Sequence, residues 1–438
     1  MDGARYRRWC AGHRSTSREH WSGGLHVAKA MTTPGRSRAS GSLGSGAVVR
    51  LAAAKKCIVG ATSEMLEDVG RLLTQSATLE RYLGRKGRAV VARLALGDTR
   101  TVIVKGPARP ITDDGSSDAW SAVNRFRNEV SALQTLDGAG GLVPKLIAVD
   151  LERMWMVLED LGGTKSLADA LLGSDPELAT TTLSAWASAL GQLHRASSKP
   201  TVMAQWESQR AVLGPLPEPE SAVGVLEVAR PRLEQVSAIT PGVEAAVAEV
   251  DRRLSDRRWW SMTPRDPCPD NCAIRLDGSV VLFDFEGGGI RHSLLDAAYL
   301  VTTFPTCWCT GNLPPAVRSA GLAAYRAAAG WSFDDFDQHL AAAAAFHGLW
   351  VLNSFRMTDA LGDRGNAGWH WSEVGFDVPS AREVVVLAVD DLERAVGDDA
   401  ELSALGSFAR SLRGNLTKRW GAWDCAPPHP AFSAAESL

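Results

Sequence analysis

The stretch 264–286, PRDPCPDNCAIRLDGSVVLFDFE, gathers oxygen donors at two points, Asp266-x4-Asn271 and Asp284-Phe285-Glu286. Phosphoryl transfer between oxygens needs a carboxylate that orients the attacking hydroxyl and takes its proton. It also needs hard oxygen ligands for the magnesium that offsets phosphate charge. Asp266 suits the first task, and Asn271 and Asp284 suit the second. Between them, Asp277-Gly278 reads as a two-residue hairpin turn flanked by apolar runs. That register sets Leu276 against Ser279 and Asn271 against Asp284, with opposed side chains on one face about 5 Å apart. The bland alternative is a surface hairpin with incidental polar ends. The Asp five residues ahead of the Asn is what such a hairpin has no reason to carry.

Three further signals support the first. Lys105 closes the apolar run Thr101-Val102-Ile103-Val104, where a lysine can grip phosphate, although a strand often ends in a solvated lysine. Glu129, beside apolar Val130 on the following helix, can pair with Lys105 and position it. Val157-Leu158-Glu159-Asp160-Leu161-Gly162 is an apolar strand running into a Gly-Gly break, a hinge whose backbone can meet an adenine or an ordinary linker. Asp296 sits in the apolar run Leu294–Tyr299, and an acid there calls for a partner; its expected job is to hold the catalytic loop.

The elements that must position these residues change character along the chain. Ala77–Gly84, Ala89–Leu96 and Thr101–Lys105 read as strands separated by Gly-containing turns. A helix near 118–136 buries Val123, Phe126, Val130, Leu133 and Leu136 on one face. Pro144–Asp150 and Met154–Glu159 are two more strands. Beyond Gly162-Gly163 helices dominate: Asp175-Pro176 opens one, Ser332-x-x-Asp335 and Ser380-x-x-Glu383 read as capping boxes, and another runs over about 400–418. The fold class is therefore α+β, with a small β-rich part over 61–160 and a larger helical part over 161–430.

Residues 1–60 are rich in Arg, Ser and Gly without an apolar period and read as a disordered basic tail. Met31 is an alternative start. The first fifty residues carry nine Lys/Arg and two Asp/Glu, a net of +7, which leaves −10 on the remainder of a chain whose total is −3. An acidic body argues against nucleic acid as a partner and is compatible with a cationic substrate. No apolar run is long enough to span a membrane. The seven cysteines are Cys10, Cys57, Cys268, Cys272, Cys307, Cys309 and Cys425. The odd count predicts no disulfide framework and a cytoplasmic setting. Neither Cys268-x3-Cys272 nor Cys307-x-Cys309 has a zinc-site spacing.

Taken in order, VIVK, the NEV helix, VPKLIAVD, VLEDLG, LGQLH, RDPCPDN, LFDFE and LLDAAYL resemble the aminoglycoside phosphotransferase and choline kinase-like family of the protein-kinase-like fold. The resemblance covers roughly 75–425. It implies a bilobal fold and an ATP- and Mg2+-dependent phosphotransferase acting on a small-molecule hydroxyl. It assigns Asp266 as the catalytic aspartate, Asn271 and Asp284 to Mg2+, Lys105 to the nucleotide phosphates with Glu129 steadying it, and Glu159, Asp160 and Leu161 to adenine. The chain departs from the pattern at Pro264, where the family carries His. No G-x-G-x-x-G loop lies near Gly84–Gly87 and no A-P-E segment follows Asp284, which argues against a protein kinase. A non-catalytic nucleotide-binding regulator is the rival that Pro264 motivates. Candidate substrate contacts are Asp334, Asp335, Asp337, Glu373 and Asp377, with Trp308, Trp369 and Trp371 as walls.

Overall fold

The structure, a computed structural model, describes residues 65–86, 89–97, 99–107, 121–137, 139–214, 216, 220–304, 306–353, 355–363, 379–421 and 428–433. The basic tail over 1–60, Trp369, Trp371, Glu373 and Asp377 lie outside these residues. The chain divides into two compact units.

The sheet unit comprises the described residues up to 107 together with 144–160. Its strands are β1 (Ala77–Lys86), β2 (Ala89–Leu96), β3 (Thr101–Pro107), β4 (Leu146–Asp150) and β5 (Trp155–Glu159), in the order β1-β2-β3-β5-β4. Every neighbouring pair is antiparallel. Alternation decides which side chains enter the core. Ala92, Leu94 and Leu96 of β2 and Val102 and Val104 of β3 are buried, packing with Trp155, Val157, Met65 and Val69. Lys105 alternates with Val104 and so points to the opposite face of the sheet. Gly106 is required by packing: a Cβ there would lie 2.1 Å from the Trp155 ring.

The helical unit comprises the described residues of 121–143 and 161–433. The sequence reading sets one boundary at 160; by packing, 121–143 lies with the helices beyond it. The cause is polar. Buried Arg210 donates through Nε to Asn128 Oδ1 and through Nη2 to Asn124 Oδ1, both at 2.8 Å, fastening helix Ala122–Thr135 to helix Pro200–Leu213. Helix Phe336–Asn353 is apolar on all sides and buried along most of its length, as a central helix must be. Among the described residues, no helix is long and apolar enough to cross a membrane.

Two expected helix starts resolve differently. Ser380 and Glu383 form the reciprocal capping box of helix Ala381–Val396. Asp335 instead immediately precedes helix Phe336–Asn353, where its carboxylate meets Arg258 at 2.8 Å and His339 at 3.3 Å. Close by, Arg253 is 3% exposed. It donates to Glu249 (2.7 Å), Glu401 (2.6 Å), Asp399 (3.1 Å) and the Gln338 carbonyl (3.1 Å).

Candidate active site

Within the helical unit, β6 (Trp260–Thr263) pairs antiparallel with β9 (Gly289–His292), and β7 (Cys272–Ile274) with β8 (Val280–Leu282). The segment 264–271 leaves β6 and enters β7, and 283–288 leaves β8 and enters β9. Both crossings contain a non-glycine residue in the left-handed region, Arg265 (φ 71°) and Asp284 (φ 67°). Such conformations cost of order 1–3 kcal/mol and collect where geometry serves a function.

The first crossing is tied down by its own groups. Asn271 Nδ2 donates to the Asp266 carbonyl oxygen at 2.9 Å, and the Asn271 amide donates to the Cys268 carbonyl at 2.9 Å. With Nδ2 committed to the loop, Oδ1 is the Asn271 atom suited to a cation. Asp270 accepts from Trp308 Nε1 at 2.6 Å. Burial pushes the Asp270 carboxyl up to about 7, against the Trp308 hydrogen bond, and the charge of Asp284 adds to the rise. A Cys268–Cys307 disulfide (S–S 2.05 Å) fastens the same loop to the segment that carries Trp308. The sequence predicted no disulfide framework; one bond nevertheless forms, because the fold brings two cysteines 39 residues apart to a Cα separation of 5.8 Å. Cys272 and Cys309 are buried thiols. Burial raises both, Cys272 to about 12.

The hairpin register differs from the predicted one by a residue. Cys272 pairs with Leu282 and Ile274 with Val280, and Arg275 N–H donates to the Ser279 carbonyl at 2.8 Å. The loop is thus three residues, Leu276–Gly278, with Gly278 at φ 81°, rather than the two-residue Asp277-Gly278 turn. Asn271 consequently faces Phe283, whose N–H donates to the Asn271 carbonyl at 3.1 Å. Asp284 is the next residue, and its left-handed backbone, not direct opposition to Asn271, sets its direction. Glu286, which follows, is engaged on helix Ala122–Thr135: Arg125 Nη1 reaches Glu286 Oε1 at 3.3 Å and Asn128 Nδ2 donates to its carbonyl at 3.2 Å.

Asp266 opens into a small, half-open pocket shared with Glu220, Arg265, Arg291, Tyr299, Thr306, Phe346, His347 and Trp350. Sequence reading missed these neighbours because they come from six separate stretches of chain. Asp334, Asp335 and Asp337 do not line it: Asp335 is engaged as above, and Asp337 lies 3.3 Å from Arg326. Trp308 is not a wall of this pocket but the donor to Asp270. The partner of Asp296 is His194, at 3.2 Å, and His194 Nδ1 in turn meets the Tyr325 hydroxyl at 2.8 Å. Asp296 therefore couples helix Pro176–Ser197 to the segment after β9 rather than holding the Asp266 loop.

In the sheet unit Lys105 is half-buried on β3, its Cα partnered by Val91 and Met156. Glu159 accepts from the Lys145 amide at 3.1 Å, and Asp160 pairs with Arg93 at 2.6 Å. Both carboxylates thus serve the sheet. Leu161 and buried Glu129 belong to the helical unit, so the expected Lys105–Glu129 pair joins residues of different units.

No protein-family profile matches the chain, and no curated protein matches it. Similar solved structures include a macrolide 2′-phosphotransferase from Brachybacterium faecium, at 15% identity, covering 79% of this chain and 97% of that one with a TM-score of 0.42. A choline kinase from Streptococcus pneumoniae is 17% identical over 79% of this chain and 99% of that one, TM-score 0.43. An aminoglycoside phosphotransferase from Alicyclobacillus acidocaldarius is 14% identical over 78% and 93%, TM-score 0.39. At these values the residues of this chain must carry the functional reading themselves.

Proposed function

We propose that this chain is an ATP-dependent phosphotransferase that moves the γ-phosphoryl group to a hydroxyl of a small molecule. The observation that carries the reading is the Asp266 loop. A carboxylate lines a pocket, the loop behind it is closed by the Asn271–Asp266 bond, and a second acid, Asp284, sits one residue past the position opposite Asn271 in a constrained backbone state. These are the groups that in-line phosphoryl transfer needs and little besides.

Asp266 orients the acceptor hydroxyl and takes its proton as the acceptor oxygen bonds to the γ-phosphorus. The bond from that phosphorus to the bridging oxygen breaks, and ADP leaves with the electron pair. The amide oxygen of Asn271 and the carboxylate of Asp284 are hard donors that fit Mg2+. When bound, Mg2+ would neutralise charge on the phosphates. Lys105 is assigned to the nucleotide phosphates and Glu129 to steadying it. Because the Glu159 and Asp160 side chains are engaged, adenine falls to the backbone of Glu159–Leu161.

The test is ATP turnover with magnesium across a panel of small alcohols, with Asp266→Asn alongside. The substitution is nearly isosteric, so the melting temperature should hold while turnover falls roughly 100-fold or more. Turnover within a few-fold of the parent would remove Asp266 from the chemistry, and no turnover on any alcohol would favour a non-catalytic nucleotide binder.

A further inference from the structure

The pocket beside Asp266 holds two arginines in unlike circumstances. Arg265 is paired with Glu220. Burial works to raise the Glu220 carboxyl, and the charges of Arg265 and Arg291 outweigh it, leaving the group ionised and below its ordinary value. Arg291 makes no ion pair among the described residues, and its Nη1 is buried without a hydrogen-bond partner. Burial, aided by the neighbouring charge of Arg265, lowers this guanidinium from its ordinary value, with Glu220 and Asp296 acting against the change from beyond ion-pair distance.

Position explains why Arg291 is there. It sits on β9, Cα-paired with Ser261 of β6, and β6 runs directly into the Asp266 loop. Alternation along β9 turns His292 the other way, onto His339 at 3.1 Å. The same short sheet thus delivers the carboxylate and the guanidinium to one pocket, whose remaining wall includes Phe346 and Trp350. A half-buried guanidinium whose buried Nη1 lacks a partner is costly in an empty site and favourable once an oxyanion arrives, since arginine binds carboxylate and phosphate through a two-pronged fork.

We propose that the acceptor alcohol carries an anionic oxygen group, carboxylate or phosphate, which Arg291 binds while Asp266 addresses the hydroxyl. This rests on the phosphotransferase reading for the role of Asp266 and replaces the cationic acceptor suggested by the acidic composition. Overall charge describes the surface; the pocket has its own sign.

The test is calorimetric titration with four probes on a common propane skeleton: glycerol, aminopropanediol, glycerate and glycerol phosphate. An acid should bind at least about tenfold more tightly than glycerol or aminopropanediol, and whichever acid binds better identifies carboxylate or phosphate. Arg291→Gln should weaken that acid about 30-fold or more and leave ATP affinity unchanged. The variant removes a half-buried charge that makes no ion pair among the described residues, so its melting temperature should be no lower than the parent's. Arg291→Lys, which keeps the charge without the fork, should fall between. The inference is overturned if neither acid binds, if a neutral or amino probe binds as well, or if Arg291→Gln leaves acid binding unchanged. It is also overturned if Arg291→Gln weakens ATP instead, since the anion would then be the nucleotide's own phosphate. Arg291-dependent acid binding without phosphorylation of any alcohol would count against the phosphotransferase and leave the anion site standing. Phosphorylation of aminopropanediol in preference to the acids would do the reverse.

Discussion

Asn271 serves two masters. Its Nδ2 closes the loop onto the Asp266 carbonyl, and its oxygen is the donor proposed for magnesium. Asp284 enters from the other crossing, after β8, on a left-handed backbone. The two residues should therefore respond differently to metal. Asp284→Ala is expected to raise the magnesium needed for half-maximal turnover, with excess magnesium restoring part of the rate. Asn271→Ala should lose about tenfold in turnover that magnesium does not restore, because the lost hydrogen bond, worth about 1 kcal/mol or more where buried, positions the loop. Full rescue of Asn271→Ala by magnesium would show that the bond to Asp266 positions nothing.

At the scale of elements, the Asp266 loop depends on the segment 306–309 as much as on its own strands. The Cys268–Cys307 bond and the Trp308–Asp270 hydrogen bond both join them. Closing a loop of this length removes denatured-state entropy equivalent to about 4 kcal/mol in the chain-entropy account. The Cys268→Ser/Cys307→Ser double variant should thus unfold at a lower denaturant midpoint than the oxidised parent, and the parent in reductant should match it. Equal midpoints for oxidised and reduced protein, with both thiols open to alkylation in the unreduced protein, would mean that the bond does not form. The pairing was invisible in the sequence, since seven cysteines allow many pairs and only the fold selects one. The helix-start Asp175 and the Ser380 capping box were legible, because each acts within a single turn. The hairpin register was not: Asp-Gly marks a turn, but whether Gly278 serves as its second or its third residue depends on how β7 and β8 continue.

For the whole molecule, buried histidines work against the fold as pH falls, while the raised carboxyl of Asp270 works the other way. Burial lowers His429 and His347 from 6.5 to about 4. Between these values the unfolded chain binds protons that the folded chain refuses. Their contribution is complete above pH 6.5 and is lost as pH falls from 6.5 toward 4, by about 3 kcal/mol for each histidine. His429 is 2% exposed, and its Nε2 has no hydrogen-bond partner among the described residues, so His429→Phe should flatten the fall in melting temperature over that interval. An equal fall in parent and variant would assign the acid sensitivity elsewhere.

The sequence by itself determined what depends on neighbours along the chain. Period-two and helical apolar patterns placed the strands of the five-stranded sheet and several of the helices to within a few residues, and donor spacing singled out Asp266, Asn271 and Asp284 as candidates. Tertiary structure decided what depends on residues far apart in sequence. It grouped helix Ala122–Thr135 with the helices through Arg210, joined Cys268 to Cys307, and gave Asp296 to His194. It also brought Glu220, Arg291 and Trp350 around Asp266. The physical reason is that periodicity reports which face of an element is buried, whereas the sign and shape of a pocket are set by which buried faces meet.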